Sequence, residues 1–350
     1  MKTKMLIWLL TLLGAVSCTS VETSGGSLRI VFETGDVQTK AAGPDGIVED
    51  GGGIYINEGV PDVVILISNA DNEIVATYPS SGRGGILTGS VEGTPAPLQA
   101  SISFTGLTGS ATYTVYAFAN AQGLWTMKCG EDPVRNLTDL TSAARVEALQ
   151  FQPTAGDKDA YGCLAVKASR LPLSAKGAVT LTSLGNGEIS LQLQRCVAKV
   201  TAVFENQCGE DLLLQNFSNK FYHMCPETGN VVPHEADYPV NHGDSNDGDL
   251  SATEAELSIE ADEMVSQSWY VFPSLGYYTC DISFDLVDDG NTVFCNYTDL
   301  PVLDDHGRDI SYLARNQHLT IITRISRGRT VSFNFEVADW DSKTETVTFN

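Results

Sequence analysis

The chain is poor in positive charge. Its 21 Lys and Arg stand against 44 Asp and Glu, a formal net charge of −23. A polyanion of that size repels nucleic acid and anionic headgroups, which argues against both as partners. No two of the eight cysteines stand in C-x-x-C spacing, so zinc ribbons and thioredoxin-like redox sites are unsupported. The five histidines lie in no H-E-x-x-H and beside no nucleophile elbow. No clustered catalytic constellation appears, so neither an enzyme nor a cofactor is expected. Asp244–Asp249 with Glu254 approaches an EF-hand loop, but Gly243 and Ser245 would fall on ligand positions. An acidic surface loop explains the same residues, and no metal site is expected. His318, where a strand begins, reads as a structural histidine.

What is present begins at the amino terminus. Lys2 and Lys4 precede an apolar run, Met5 to Val16, too short to span a bilayer comfortably. Ala15-Val16-Ser17-Cys18 looks like a bacterial lipobox, which makes 1–18 a lipoprotein signal with Cys18 as the lipidated residue. Two or three acyl chains anchor stably where one does not. The expectation is an exported, lipid-tethered protein. Without Lys2 and Lys4 the mature chain has 19 basic residues against 44 acidic. Export permits disulfides, but seven cysteines remain beyond Cys18, an odd number.

The small polar stretch 19–27 reads as a tether. In the next segment Leu28, Ile30 and Phe32 alternate with Arg29 and Glu33, the pattern of a half-buried first strand. A Gly/Pro/Asp-rich loop over 43–59 follows. Strands are then expected at 60–67, 73–78, 98–104, 112–119, 189–204, 266–271, 318–325, 330–340 and 343–350. Asp289-Gly290 should turn a hairpin that sets Phe284 opposite Cys295, with Cys280 on the same side but unopposed. Buried thiols suit those two cysteines better than a bridge. Asn136 as N-cap, with Leu137, Leu140 and Ala144 on one face, predicts a single helix reaching about Leu149. Many short strands between turns mean β-sandwiches.

Four stretches together resemble the fimbrillin family, the subunits of protease-matured type V pili. They are Val63–Ile67 running into Asn69–Glu73, Tyr113–Asn120, Leu193–Val200 with its Arg-x-x-Ala-Lys pattern, and Ala314–Thr320 before Val337–Trp340. The family often has His directly after Arg-Asn, whereas here Gln317 intervenes. The resemblance implies an all-β chain of two tandem transthyretin-like β-sandwich domains, over 41–190 and 191–350, with one short helix in the first. It implies a precursor anchored in the outer membrane and cut by a Lys/Arg-specific maturation protease, with 19–40 as tether and removable first strand. Lys40-Ala41 is the basic site beyond that strand, and Arg29, inside it, should be shielded. Other fimbrial subunits are then the partners, in a homo- or hetero-polymer. Removing Leu28, Ile30 and Phe32 would open a slot for a neighbour's C-terminal strand, with Val347 and Phe349 filling pockets. Unpaired edges and an apolar groove are what an extended segment restores. The alternative is a glycan-binding outer-membrane surface lipoprotein, in which Trp125, Trp269 and Trp340 would stack on sugars if exposed together.

Overall fold

A computed structural model describes residues 26–33, 63–92, 101–119, 126–152, 172–225, 229–233, 248–275, 278–288, 291–303, 307–310, 312–326 and 330–339. The chain opens with β1 (Ser27–Glu33), β2 (Val63–Ser68), β3 (Ile74–Tyr78), β4 (Leu87–Thr88) and β5 (Ser90–Glu92). β6 (Ser101–Thr105), β7 (Thr112–Ala119), β8 (Met127–Cys129) and β9 (Asp132–Val134) follow. Helix α1 (Ala143–Glu147) then leads to β10 (Leu149–Phe151), β11 (Leu173–Thr180), β12 (Gly187–Gln192) and β13 (Gln194–Arg195). Next come β14 (Ala198–Gln207), β15 (Leu212–Cys225), β16 (Gly229–Asn230), β17 (Gly248–Ile259), β18 (Met264–Val271) and β19 (Ser274–Leu275). The last are β20 (Thr279–Asp288), β21 (Asn291–Pro301), β22 (Tyr312–Leu313), β23 (Gln317–Ser326) and β24 (Thr330–Asp339). The protein is an all-β sandwich fold.

Two sheets, ordered β12-β1-β6-β5 and β13-β11-β7-β2-β3-β4, face each other across a first core. Leu28, Ile30, Ile65, Ile102, Phe104 and Val115 fill it, each with no exposed surface. The six-stranded sheet is also covered on its back. There Val64, Leu66 and Phe118 meet Leu137, Val146 and Phe151, together with Val197, Val231 and Phe272 from later in the chain. All six residues of β2 are therefore buried, which is why Val63–Ile67 is continuously apolar rather than alternating. The third core lies between sheets β18-β14-β23-β24 and β17-β15-β20-β21. Val200, Phe221, Trp269, Phe284 and Leu319 are among its residues.

Local chemistry explains the turns. Asn69 Oδ1 accepts from the amides of Asp71 and Glu73 at 3.0 and 2.9 Å, so the predicted Asn69–Asn72 turn is an Asx-stabilised link between β2 and β3. In the later hairpin Asp288 pairs with Asn291 and Phe284 with Cys295, the expected register. Cys280 pairs with Leu300 beyond a register shift, and Cys280 and Cys295 are both buried thiols.

Three expectations are corrected. The helix does not run from Asn136. Leu137–Asp139 is one 3-10 turn, and α1 starts after Ser142, whose hydroxyl accepts from the Arg145 amide. Backbone bonds from Ile74 to Thr141 and from Ala143 to Asn72 hold the chain extended between the two pieces. The long run 189–204 is broken into β12, β13 and β14, because Cys196 and Val197 turn into the core behind the six-stranded sheet. Gly248 and Glu254 both lie on β17, so the stretch expected as an acidic surface loop is extended strand from Gly248 onward, with Glu254 in mid-strand. Asp244 and Asp247 lie outside the described residues.

Candidate functional site: the slot of the leading strand

β1 is not an edge. It runs parallel to β12 and antiparallel to β6, hydrogen-bonded on both sides. Its inward residues pair with inward residues of both neighbours: Leu28 with Gly187 and Phe104, and Ile30 with Ile189 and Ile102. Leu28 and Ile30 have no exposed surface and Phe32 keeps 5%. Burying three such side chains contributes roughly 5–9 kcal/mol at most. That is comparable with the whole net stability of a typical domain, about 5–15 kcal/mol. The strand therefore cannot leave unless something of similar shape takes its place.

The start of β1 is clasped by glycines. A Cβ on Gly26 would fall 2.2 Å from the carbonyl carbon of Gly185, so only glycine permits this approach. Gly185 itself has φ +80°, in the turn between β11 and β12. The Ser27 amide donates to Asn186 Oδ1 at 3.0 Å, tying the entering chain to that turn.

On the outer face Arg29 spans the strand's neighbours. Its Nη1 lies 2.9 Å from Glu188 Oε2 on β12, and its Nε donates to Ser101 Oγ on β6 at 2.9 Å. The Arg29 side chain is 48% exposed, open to solvent while the main chain is held from both edges. That is the sense in which Arg29 is shielded: a protease must extract the backbone, and two strands hold it.

The two arginine motifs have structural partners far away in sequence. Arg195 Nη1 donates to Asn316 Oδ1 at 2.8 Å. Arg315, 5% exposed, donates from Nη1 to Ser174 Oγ on β11 at 3.0 Å and from Nη2 to the carbonyls of Asn230 and Val232 at 3.1 and 3.3 Å. With the β10–β16 pairing and the stacked rings of Phe151 and Phe272, 5.8 Å apart, they tie the first half of the chain to the second. His318 Nε2 shares a 2.8 Å hydrogen bond with Thr201 Oγ1. Burial, and then the neighbouring Lys199 charge, hold its imidazole down at about 3, so it is neutral at ordinary pH. Burial pushes the Cys280 thiol up to about 12, with the Asp281 charge adding to it, which makes this a packing thiol and not a nucleophile.

Of the residues singled out from sequence, Leu28, Ile30 and Phe32 share the buried face of one central strand. Cys18, Lys40, Ala41, Val347 and Phe349 lie outside the described residues. So do Trp125 and Trp340. Trp269 is 2% exposed and packs edge-on against Phe221, so it offers no face to a sugar. Sequence reasoning gave no role to Glu188, Ser101 and Gly185. The Gly-Asn-Gly-Glu run 185–188 is the only signal for Glu188 and Gly185, and it reads as a turn.

The arrangement has relatives among solved structures. A Parabacteroides distasonis protein described as a "putative cell adhesion protein" superposes with a TM-score of 0.53 at 12% identity, covering 92% of this chain and 99% of that one. A Bacteroides eggerthii protein of the same description gives 0.52 at 11%, covering 90% and 96%. The chain has their fold. A Porphyromonas gingivalis fimbrilin is also a structural neighbour, with a TM-score of 0.47 at 13% identity over 91% of this chain and 98% of that one. No family model and no curated protein matches the sequence. At these identities the kinship with the adhesion-named proteins is one of fold.

Proposed function

We propose that this chain is the precursor of a fimbrial subunit that reaches the cell surface lipid-anchored at Cys18 and supports adhesion. A Lys/Arg-specific protease cuts at Lys40-Ala41. The leading strand then leaves its slot, and the C-terminal strand of a neighbouring subunit, through residues equivalent to Val347 and Phe349, takes its place. Domains over 41–190 and 191–350 would act as acceptor and donor ends. The observation that carries this reading is the central position of β1, an apolar strand with both edges paired. Lys40 is moreover the single basic residue between Glu33 and Val63. The fimbrillin-like motifs and the fold shared with adhesion-named proteins support it.

The test is limited digestion of the full precursor with a Lys-specific protease. A trimmed chain starting at Ala41 should appear and, with a partner fimbrial subunit supplied, join ladders that survive mild denaturant, and Lys40→Gln should abolish both. A trimmed chain that joins no ladder when a partner subunit is supplied, or no cut at Lys40, refutes the assembly reading.

A further inference from the structure

The slot has an outer face as well as an inner one, and that face is charged on one side. Glu188 and Ser101 sit on the two strands flanking β1 and both bond the Arg29 guanidinium, each at 2.9 Å. Ser101 and Ser103 are each 4% exposed, and Arg29 pairs with Ser103. Any strand that replaces β1 must set a side chain between Glu188 and Ser101. Because side chains alternate with period two, parity alone decides which one.

This chain's own tail fails that parity. In 343–350, Glu345, Val347 and Phe349 share one face and Thr344, Thr346 and Thr348 the other. Every register that buries Val347 and Phe349, in either direction, puts a threonine or Asn350 where Arg29 stands. Neither side chain is long enough to reach Glu188 from there, and neither carries a charge to answer it. A third inward position would be Glu345, a carboxylate in a core that holds Leu28, Ile30 and Phe32.

We propose that Glu188 and Ser101 select the occupant of the slot: a strand from a different subunit, with Arg or Lys at an outward position flanked by inward apolar residues, and not the tail of a second copy of this chain. The inference rests on the strand-exchange reading and adds a charge rule to it. Glu188 is 57% exposed, so it sorts among strands that already fit and is not the main source of binding.

The experiment uses the full chain after limited cleavage at Lys40, with labelled ten-residue peptides competing for the slot. One peptide carries the sequence of 26–35, two others carry Arg29→Gln or Arg29→Glu within it, and a fourth is the tail, 341–350. The Arg peptide should enter best, the Gln peptide about two- to fivefold less well and the Glu peptide about tenfold less well. The tail should be weakest. In the chain carrying Glu188→Lys the order of the Arg and Glu peptides should invert. If all three leading-strand peptides enter equally, or the tail enters as well as the Arg peptide, the charge rule is wrong while strand exchange stands. If no peptide enters the cut chain, strand exchange itself is wrong and the rule falls with it.

Discussion

β1 and β24 carry almost the same sequence pattern and have different fates. Leu28-Arg29-Ile30-Val31-Phe32 and Val331-Ser332-Phe333-Asn334-Phe335 both alternate apolar and outward residues. β1 has a strand on either side and buries its apolar face completely or nearly so. Among the described residues β24 has one partner, β23, and Val331, Phe333, Phe335 and Val337 are only partly buried against the third core. Phe333 meets Tyr297 of β21 edge-on at 5.3 Å, so the edges of two facing sheets lean together there. Alternation says that a strand has an inside. It does not say whether the strand closes a sheet or borders one.

That contrast can be broken by matched truncations. Phe32→Ala should cost about 3–5 kcal/mol, the range for an aromatic removed from a packed core. Phe335→Ala should cost about 1–2 kcal/mol, since its side chain is already part-solvated. Urea denaturation of the two variants reads both values, and equal losses would erase the distinction between slot and edge.

Acid sharpens it from the other side, because His318 belongs to the β14–β23 pair under β24. Its folded pKa of about 3 lies below the usual 6.5, so the unfolded chain binds the proton first. The stability it contributes is complete above about pH 6.5 and is lost as pH falls from there towards 3, a few kcal/mol in all. His318→Gln should flatten the dependence across that window, while Phe32→Ala should leave its slope unchanged. Unfolding midpoints against pH measure this.

Arg315→Ala should cost about 2–3 kcal/mol by leaving Ser174, the buried Val232 carbonyl and the half-buried Asn230 carbonyl with a lost donor. It should also let the β1 and β24 halves unfold at separate temperatures in calorimetry. Arg315→Lys should not restore the loss, because one ammonium cannot reach the span of a guanidinium. Smallest of all, Glu188→Gln should lower stability by less than about 1 kcal/mol. The difference should vanish at 1 M salt, since both partners are solvent-exposed.

How legible each part was follows from the same chemistry. β1, β7 and the β20–β21 register were readable because their side chains alternate and their turns use Asn, Asp and Gly. β11, LSAKGAVT, was not, because small residues and a glycine replace the bulky alternation. Its Gly177 is needed there: a Cβ would press on Ile189 and Leu191. β17 was hidden by SATEAEL, whose Ala and Glu favour helix in isolation. Arg195 and Arg315 stood out as motif residues, but their partners lie 121 and 141 residues away in sequence. The slot itself was half visible: its filler could be read, and its walls, β12 and β6, could not be assigned as neighbours.

Hydrogen exchange at the amides of Leu28 to Phe32, before and after a single cut at Lys40, tests the central claim most directly. The account predicts protection matching that of Thr112–Ala119 in the intact chain. After the cut, protection should fall in β1 while β7 keeps its own once a filling peptide is supplied. Rapid exchange of β1 in the intact chain, or unchanged protection after cleavage and peptide addition, would contradict it.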